Sequence, residues 1–396
     1  MSSPSREEIL IRVAVVGAGL VASHYAAGLQ RLKRAEIEPY GVPLAKFKVI
    51  KDYVEEEVVS AYDVDANKVG KPLSEVVKRQ LEGVVPVPPD VPDFEVREGV
   101  LASSGAGLDK MFPVRGRDQK LPLKEAVEEI AKEFKSDNVN VVLNLISTEP
   151  AEPFGDEGKL AKALERGEVS AGQAYAFAAY LAAKDSGKPV AFINLIPTPL
   201  ANDPAFVKLY EDANSLVLGD DGATGATPLT ADLLEHLAER NRKVRYIVQF
   251  NIGGNTDFLA LTIPERNLMK EKTKSSVVED ILGYDAPHYI KPTGYVEAIG
   301  DRKFVAMDIE WITFNGLVDE LIVNMRINDS PALAGLAVDL VRLAAALLEK
   351  GVKGTFYDVN AFFMKNPGPK EARNKARIKA YYDMISALRE LGVIVE

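Results

Sequence analysis

The 396-residue chain contains no cysteine, one tryptophan and only three histidines. The missing cysteine excludes disulfides, thiolate zinc sites and a cysteine nucleophile, and it fits a reducing cytoplasm. His24, His236 and His288 lie far apart, so a histidine-rich metal site is not expected. No apolar run reaches the length of a membrane span, and Met1 to Glu8 is polar, without the apolar core of a signal peptide. Positive charge is also short: the formal net charge is −10, which speaks against a nucleic-acid binder. A local cluster of lysines can still reverse the field inside a cleft. What is present is ordinary for a globular protein, with 47% hydrophobic and 27% charged residues, at a length that favours two domains.

Ile11 to Val16 is a short apolar run that leads into Gly17, and Val21 to Leu32 has helical spacing. Between them, V-A-V-V-G-A-G-L-V-A-S is a glycine turn. Gly17 permits the tight turn, Gly19 lets backbone approach a pyrophosphate, and Ala22 or Ser23 takes the third position. The motif is weak alone; its place between a buried strand and a helix is the supporting context. Val58 to Asp63 reads as a second strand. Asp63, with Asp65 second, is the acid expected at adenosine ribose hydroxyls, favouring NAD over NADP; either could instead be a helix cap. The long spacing from the glycines implies an insertion.

Val84 to Gln119, rich in proline and glycine, reads as a long surface loop. Helices near 123–134, 170–184 and 203–213 alternate with strands at 138–147, 189–196 and 215–218. This alternation implies a parallel sheet with right-handed crossovers. After about residue 240 the pattern changes. Strands are expected at 244–252 and 258–262. Val305, Met307, Ile309 and Trp311, then Leu321, Val323, Met325 and Ile327, alternate strictly around Asn315-Gly316, a hairpin signal. One face of this largely antiparallel sheet needs a cover, and a subunit partner is a plausible one. Ser330-Pro331 is read as the start of a long helix ending at Gly351, and 370–391 as a second, amphipathic helix.

Four lysines stand out. Lys270 and Lys274 share a helix face, which is unfavourable unless an anion or acid lies between them. Lys303 follows a turn before a strand. Lys365 follows Phe362, Phe363 and Met364, and partial desolvation there would lower its pKa and suit proton transfer. Asp339, among apolar residues of the long helix, is a candidate buried partner, or simply an exposed position. Gly219 to Thr227 (G-D-D-G-A-T-G-A-T) offers amides and hydroxyls to a phosphate, or is a plain connector; Asp221 within it is placed to orient a lysine or a nicotinamide. Asn255 and Asp257 in N-I-G-G-N-T-D either bind sugar hydroxyls or form an Asx turn.

Taken together these segments, with N-L-I-S-T-E-P at Asn144 to Pro150, resemble the inositol-1-phosphate synthase family over nearly the whole chain. The likeness is to its shorter bacterial and archaeal members, in Y-G-V-P-L-A, A-N-D-P-A-F and G-Y-D-A-P-H-Y-I-K-P-T-G-Y. The resemblance implies an α/β fold. A Rossmann-type doubly wound sheet (1–219) would be followed by an inserted α+β domain on a largely antiparallel sheet (220–329), and then by C-terminal helices returning to the first domain (330–396). It implies conversion of D-glucose 6-phosphate to 1D-myo-inositol 3-phosphate: NAD-dependent oxidation at C5, proton loss from C6, intramolecular aldol closure onto C1, and re-reduction. By motif match, Lys270, Lys274, Lys303, Lys365, Asp221 and Asp339 become the catalytic set. Lys270 is assigned to proton transfer at the C5 hydroxyl, Lys274 and Lys365 to the enolate and phosphate, and Lys303 to the C1 oxygen. Gly17, Gly19, Leu20, Val21, Ser23, Asp63, Ser147 and Thr148 would hold NAD. Thr224, Gly225, Ala226, Thr227, Asn255 and Asp257 would hold the phosphosugar.

The family implies a cytoplasmic homo-oligomer, usually a tetramer, with neither nucleic acid nor membrane as partner. A divalent metal between carboxylates and the substrate phosphate is left open. The glycine turn is less glycine- and asparagine-rich than in longer members. Gly253 and Ala226 stand where some relatives carry larger side chains, so a related phosphosugar is an alternative substrate. Two rivals stand beside the synthase: a net NAD-dependent oxidoreductase on a phosphosugar or semialdehyde, which would release NADH, and a non-catalytic NAD-binding regulator.

Overall fold

The computed structural model describes residues 10–395, with the side chains of 272–276 outside the described part. Six parallel strands form the first sheet, in the order Arg97–Glu98, Glu56–Asp63, Ile11–Val16, Val141–Asn144, Ala191–Asn194, Leu216–Leu218. The inner strands are apolar along their whole length because both faces are covered. On one face lie the helices Leu20–Lys33 and Asp329–Glu349, and on the other Leu123–Ser136, Ala171–Ser186 and Pro204–Asp212. This is the Rossmann-type doubly wound arrangement. Its strand order reverses between Ile11–Val16 and Val141–Asn144, and the crevice outside their carboxyl ends is where such sheets take ligands.

The helices stop and start for local reasons. Ser170 caps Ala171–Ser186 in a capping box with Gln173, and Gly187, left-handed at φ +68°, ends it. Asp203 caps Pro204–Asp212 through Ala205 N, with proline in the first turn. The spacer between the first helix and the second strand is an insertion tied down by the C-terminal part of the chain. Lys48–Val49 pairs with Ile394–Val395, and the Leu44 amide donates to Asp339.

The second sheet runs Val318–Asn328, Arg302–Ile312, Lys243–Gly253, His288–Tyr295. Its first three strands are antiparallel and its last is parallel to its neighbour. Val305, Met307, Ile309 and Trp311 point inward onto the helices Thr227–Ala238 and Pro264–Leu282. The other face is open within the protomer. Ile322, 63% exposed, lies on that face near one edge, Phe250 and Tyr289 pack together toward the other, and Phe314, 92% exposed, stands at the hairpin tip.

Several expectations change. Residues 258–262 are not a strand: Thr256–Ala260 is a short helix, because Asn255 accepts from Phe258 N and caps it, a local bond that outweighs a brief apolar run. Residues 84–119 are not a mere surface loop. Arg97–Glu98 extends the first sheet, Val96 and Val100 are buried, and Leu101, Leu108 and Phe112 wall the crevice. The long helix begins at Asp329 rather than at a Ser330 cap; Ser330 N and Oγ donate instead to Asp301, at 2.8 and 2.7 Å. That helix has the length and apolarity of a membrane span, yet 61% of its apolar window is buried inside the fold, so its apolarity is that of a core helix. Residues 370–376 are irregular, and the last helix is Arg377–Glu390.

Candidate active site

The crevice is a cavity of about 600 Å³ bounded by both sheets. At the end formed by the glycine turn Gly17 has φ +91°, and a Cβ there would fall 2.7 Å from the Leu145 carbonyl, so only glycine fits. Its N–H donates to Tyr62 O at 2.8 Å. Gly19 begins the helix Leu20–Lys33 without a side-chain cap, no acid occupies the first turn, and a Cβ on Gly19 would meet nothing within 4 Å. The first-turn N–H groups therefore face open space with a positive dipole end, a fit for a dinucleotide's pyrophosphate. Asp63 ends its strand as expected. One of its oxygens accepts from Val64 N and Asp65 N, and the other from Lys68 Nζ at 3.0 Å. Leu20, Val21 and Ser147 also line the cavity. Ser23 and Thr148 do not. Ser23 is buried within the helix, and Thr148 donates N–H and hydroxyl to Asp257, joining the two parts of the chain.

At the other end three of the four lysines converge. Asp221, wholly buried and left-handed at φ +64°, accepts Lys270 Nζ at 3.0 Å and Lys365 Nζ at 3.1 Å on the same oxygen. The Lys365 amide donates to the Asp221 carbonyl, so the two residues are locked together. Lys303, 6% exposed, reaches Asp329 Oδ1 at 3.4 Å. One carboxylate oxygen cannot fully compensate two ammonium groups, and the lysines divide accordingly. Burial opposes the charge on Lys270, but Asp221 and Asp257 outweigh it and hold its pKa above the ordinary lysine value. Burial dominates at Lys365, only 4% exposed, and with Lys270 and Lys303 beside it brings the pKa down to about 8. Burial also works against the Asp329 charge, yet Lys303, Lys365 and Lys270 together hold that carboxyl below its usual value. Lys274 lies within the helix Pro264–Leu282, but its side chain is outside the described residues.

The 219–227 segment joins these groups. Asp220 is fully buried and accepts from Asn194, Asn202 and the amides of Leu200, Ala201 and Asn202. Those bonds only partly offset burial, which carries its pKa up to about 6. Thr224 lines the cavity; Gly225, Ala226 and Thr227 stand behind it. A Cβ on Gly225 would sit 2.6 Å from Lys303 Nζ. The helix Thr227–Ala238 starts at Ala226 without a side-chain cap. A capless helix start beside a lysine is a natural seat for a phosphate. Asn255 and Asp257 line the same cavity, with Asn255 also donating to Asp301 at 2.8 Å.

Asp339 is not at this site. It is wholly buried below the first sheet, paired with Arg342 at 2.6 Å and with the Leu44 amide. The acid that meets the lysines from that helix is Asp329, ten residues earlier. Sequence reasoning passed over Asp329 because Ser330-Pro331 drew the cap to itself. Asp301 and Arg266 were also missed; both line the cavity. Among the described residues no group of three or more His, Cys, Asp or Glu could hold a metal ion.

Comparison with known proteins identifies the family. The family model described as Myo-inositol-1-phosphate synthase matches residues 225–330, the second sheet and its lysine helix. An inositol-3-phosphate synthase of Mycolicibacterium smegmatis is 30% identical over 381 residues, covering 93% of this chain and 96% of that protein. The chain belongs to the myo-inositol-1-phosphate synthase family. A myo-inositol-1-phosphate synthase-related protein of Thermotoga maritima, known from its crystal structure, is 50% identical, with a TM-score of 0.90 over 98% of this chain and 100% of that one. The inositol-3-phosphate synthase of Caenorhabditis elegans shares the fold at 17% identity, with a TM-score of 0.79 over 97% and 86% of the two chains.

Proposed function

We propose that this enzyme converts D-glucose 6-phosphate to 1D-myo-inositol 3-phosphate using NAD without net consumption. The observation that carries the reading is the convergence of Lys270, Lys303 and Lys365 on Asp221 and Asp329 in the cavity onto which the glycine turn opens. On this reading residues 1–219 hold the dinucleotide, 220–329 supply most of the substrate site, and 330–396 return to the first sheet carrying Lys365. Gly17, Gly19 and the first turn of Leu20–Lys33 would hold the pyrophosphate, and Asp63 the adenosine ribose. When bound, NAD supplies a hydride acceptor at C5 and returns that hydride at the end.

The rest falls to the chain's own residues. Lys365, with its pKa near 8, is the amine suited to take the C5 hydroxyl proton, a role the sequence had placed on Lys270. Lys270, held as ammonium by Asp221 and Asp257, suits the oxyanion that forms at C5 when the C6 proton leaves. Lys303 suits the C1 oxygen as C6 attacks the aldehyde carbon, and Thr224 with the start of Thr227–Ala238 suits the phosphate. Fixed cations in a water-poor cleft stabilise such developing charge without reorganising.

The test is purified protein with glucose 6-phosphate and catalytic NAD, with and without divalent metal, read by phosphorus NMR. Inositol phosphate without NADH accumulation is the expected result. Stoichiometric NADH would favour the oxidoreductase, and NAD binding with no turnover of any phosphosugar would favour the regulator.

We also infer a homo-oligomer, of the tetrameric type, assembled over the open face of the second sheet. Exposed Ile322, Phe250 and Tyr289 on that face support it, and light scattering of the purified chain reads the mass.

A further inference from the structure

Arg266 lies one turn before Lys270 on the helix Pro264–Leu282, with 2% of its surface exposed. Its Nη1 donates to the Thr148 carbonyl at 2.6 Å and its Nη2 to the Ser104 carbonyl at 2.5 Å, while its Nε has no hydrogen-bond partner. It makes no ion pair with a described residue; Glu149 and Asp257 are the acids whose charge reaches it. A buried cation without a paired carboxylate is costly, and a methionine would fill a similar volume at less expense. The two carbonyls say what the cation does. Thr148 lies in the loop after the fourth parallel strand, beside Ser147 on the cavity wall. Ser104 lies in the 101–112 segment that walls the glycine-turn end. The same segment touches the start of the helix again, since a Cβ on Gly107 would lie 3.1 Å from Ile263 Cδ1. The planar guanidinium fork meets both carbonyls at once, which a lysine cannot do with equal geometry.

We infer that Arg266 is a positioning residue that fixes Lys270 against Asp221 by bolting its helix to the Thr148 and Ser104 carbonyls. The inference deepens the proposed function and rests on it for the role of Lys270. It has a consequence beyond simple stability. Lys365 is faced by Asp221, Lys270, Lys303 and Asp329. If Lys270 drifts from Asp221, Lys365 shares that carboxylate oxygen less with it and loses a neighbouring positive charge, so its proton is held more tightly.

The experiment is a double-mutant cycle of Arg266→Met and Lys270→Met with full pH profiles. In the wild-type background Arg266→Met should lower kcat by about a hundredfold with little change in KM. It should also move the acidic limb up by about one unit, and Arg266→Lys should recover part of the rate. In the Lys270→Met background the same change should add less than about twofold. Additive effects, or an unmoved limb, would overturn the inference. If Arg266→Met does not fold, Arg266→Lys carries the same cycle with the same criterion. Isotope-labelled lysine, titrated by NMR without substrate, reads Lys365 directly. A shift there in a protein that never turns over glucose 6-phosphate would retain the positioning role and reject the substrate. Turnover with no shift would do the reverse.

Discussion

Two clusters of buried charge lie at opposite ends of the first sheet, and they do different work. At the amino end Glu56 accepts from Tyr25 Oη at 2.6 Å, and Asp339 accepts from Arg342 and from the Leu44 amide. Burial pushes both carboxyls up, Glu56 well above its usual value, with Arg342 opposing. That cluster does not line the crevice. It pins the insertion after the first helix, the second strand and the long helix to one another. At the carboxyl end Asp221 accepts both Lys270 and Lys365 on one oxygen, and Asp329 faces Lys303. There the charges remain unevenly compensated and open onto a crevice. A buried charge is therefore weak evidence of catalysis by itself; shared counter-ions on a cavity wall are stronger.

The comparison can be broken by exchanging which cluster is damaged. Lys365→Met should reduce kcat by about a thousandfold, measured as inositol phosphate released, while thermal unfolding moves little. In the wild type the rate should climb with pH through about 8, because Lys365 must be neutral to accept a proton. Lys365→Met should lose that limb. The same lowered pKa makes stability rise between about 8 and the ordinary lysine value of 10.5, where the unfolded chain binds more protons than the folded one. Asp339→Asn should do the opposite. Stranding Arg342 without its carboxylate should cost about 3–5 kcal/mol of stability in urea unfolding, with kcat per folded molecule essentially unchanged. A large kcat loss with intact stability would return Asp339 to the active site.

Much of this was readable from the residues. The glycine turn, the acid at Asp63, the alternating segments of the first sheet and the inward face of Arg302–Ile312 each rest on local spacing, which backbone geometry enforces wherever the chain goes. Lys270, Lys303 and Lys365 were singled out by their neighbours in sequence. The helix at Thr256–Ala260 was not readable, because the four-residue apolar run Phe258 to Leu261 has no period to distinguish helix from strand.

Local spacing determined most of the elements, the glycine turn and which lysines stand out. Only the tertiary structure decided which acids they meet. Asp329 and Asp339 occupy one helix, and local sequence pointed to the wrong one: Asp339 stands between Val338 and Leu340, Asp329 between Asn328 and Ser330. One faces the crevice and the other the amino end, because the helix spans the sheet. Which lysine stays charged was likewise decided by burial and by the geometry of one shared oxygen on Asp221, where Lys270 and Lys365 arrive from 49 and 144 positions away. The fork of Arg266 was hidden for the same reason. Its partners are backbone carbonyls, and a carbonyl carries no side-chain signature that a sequence could display.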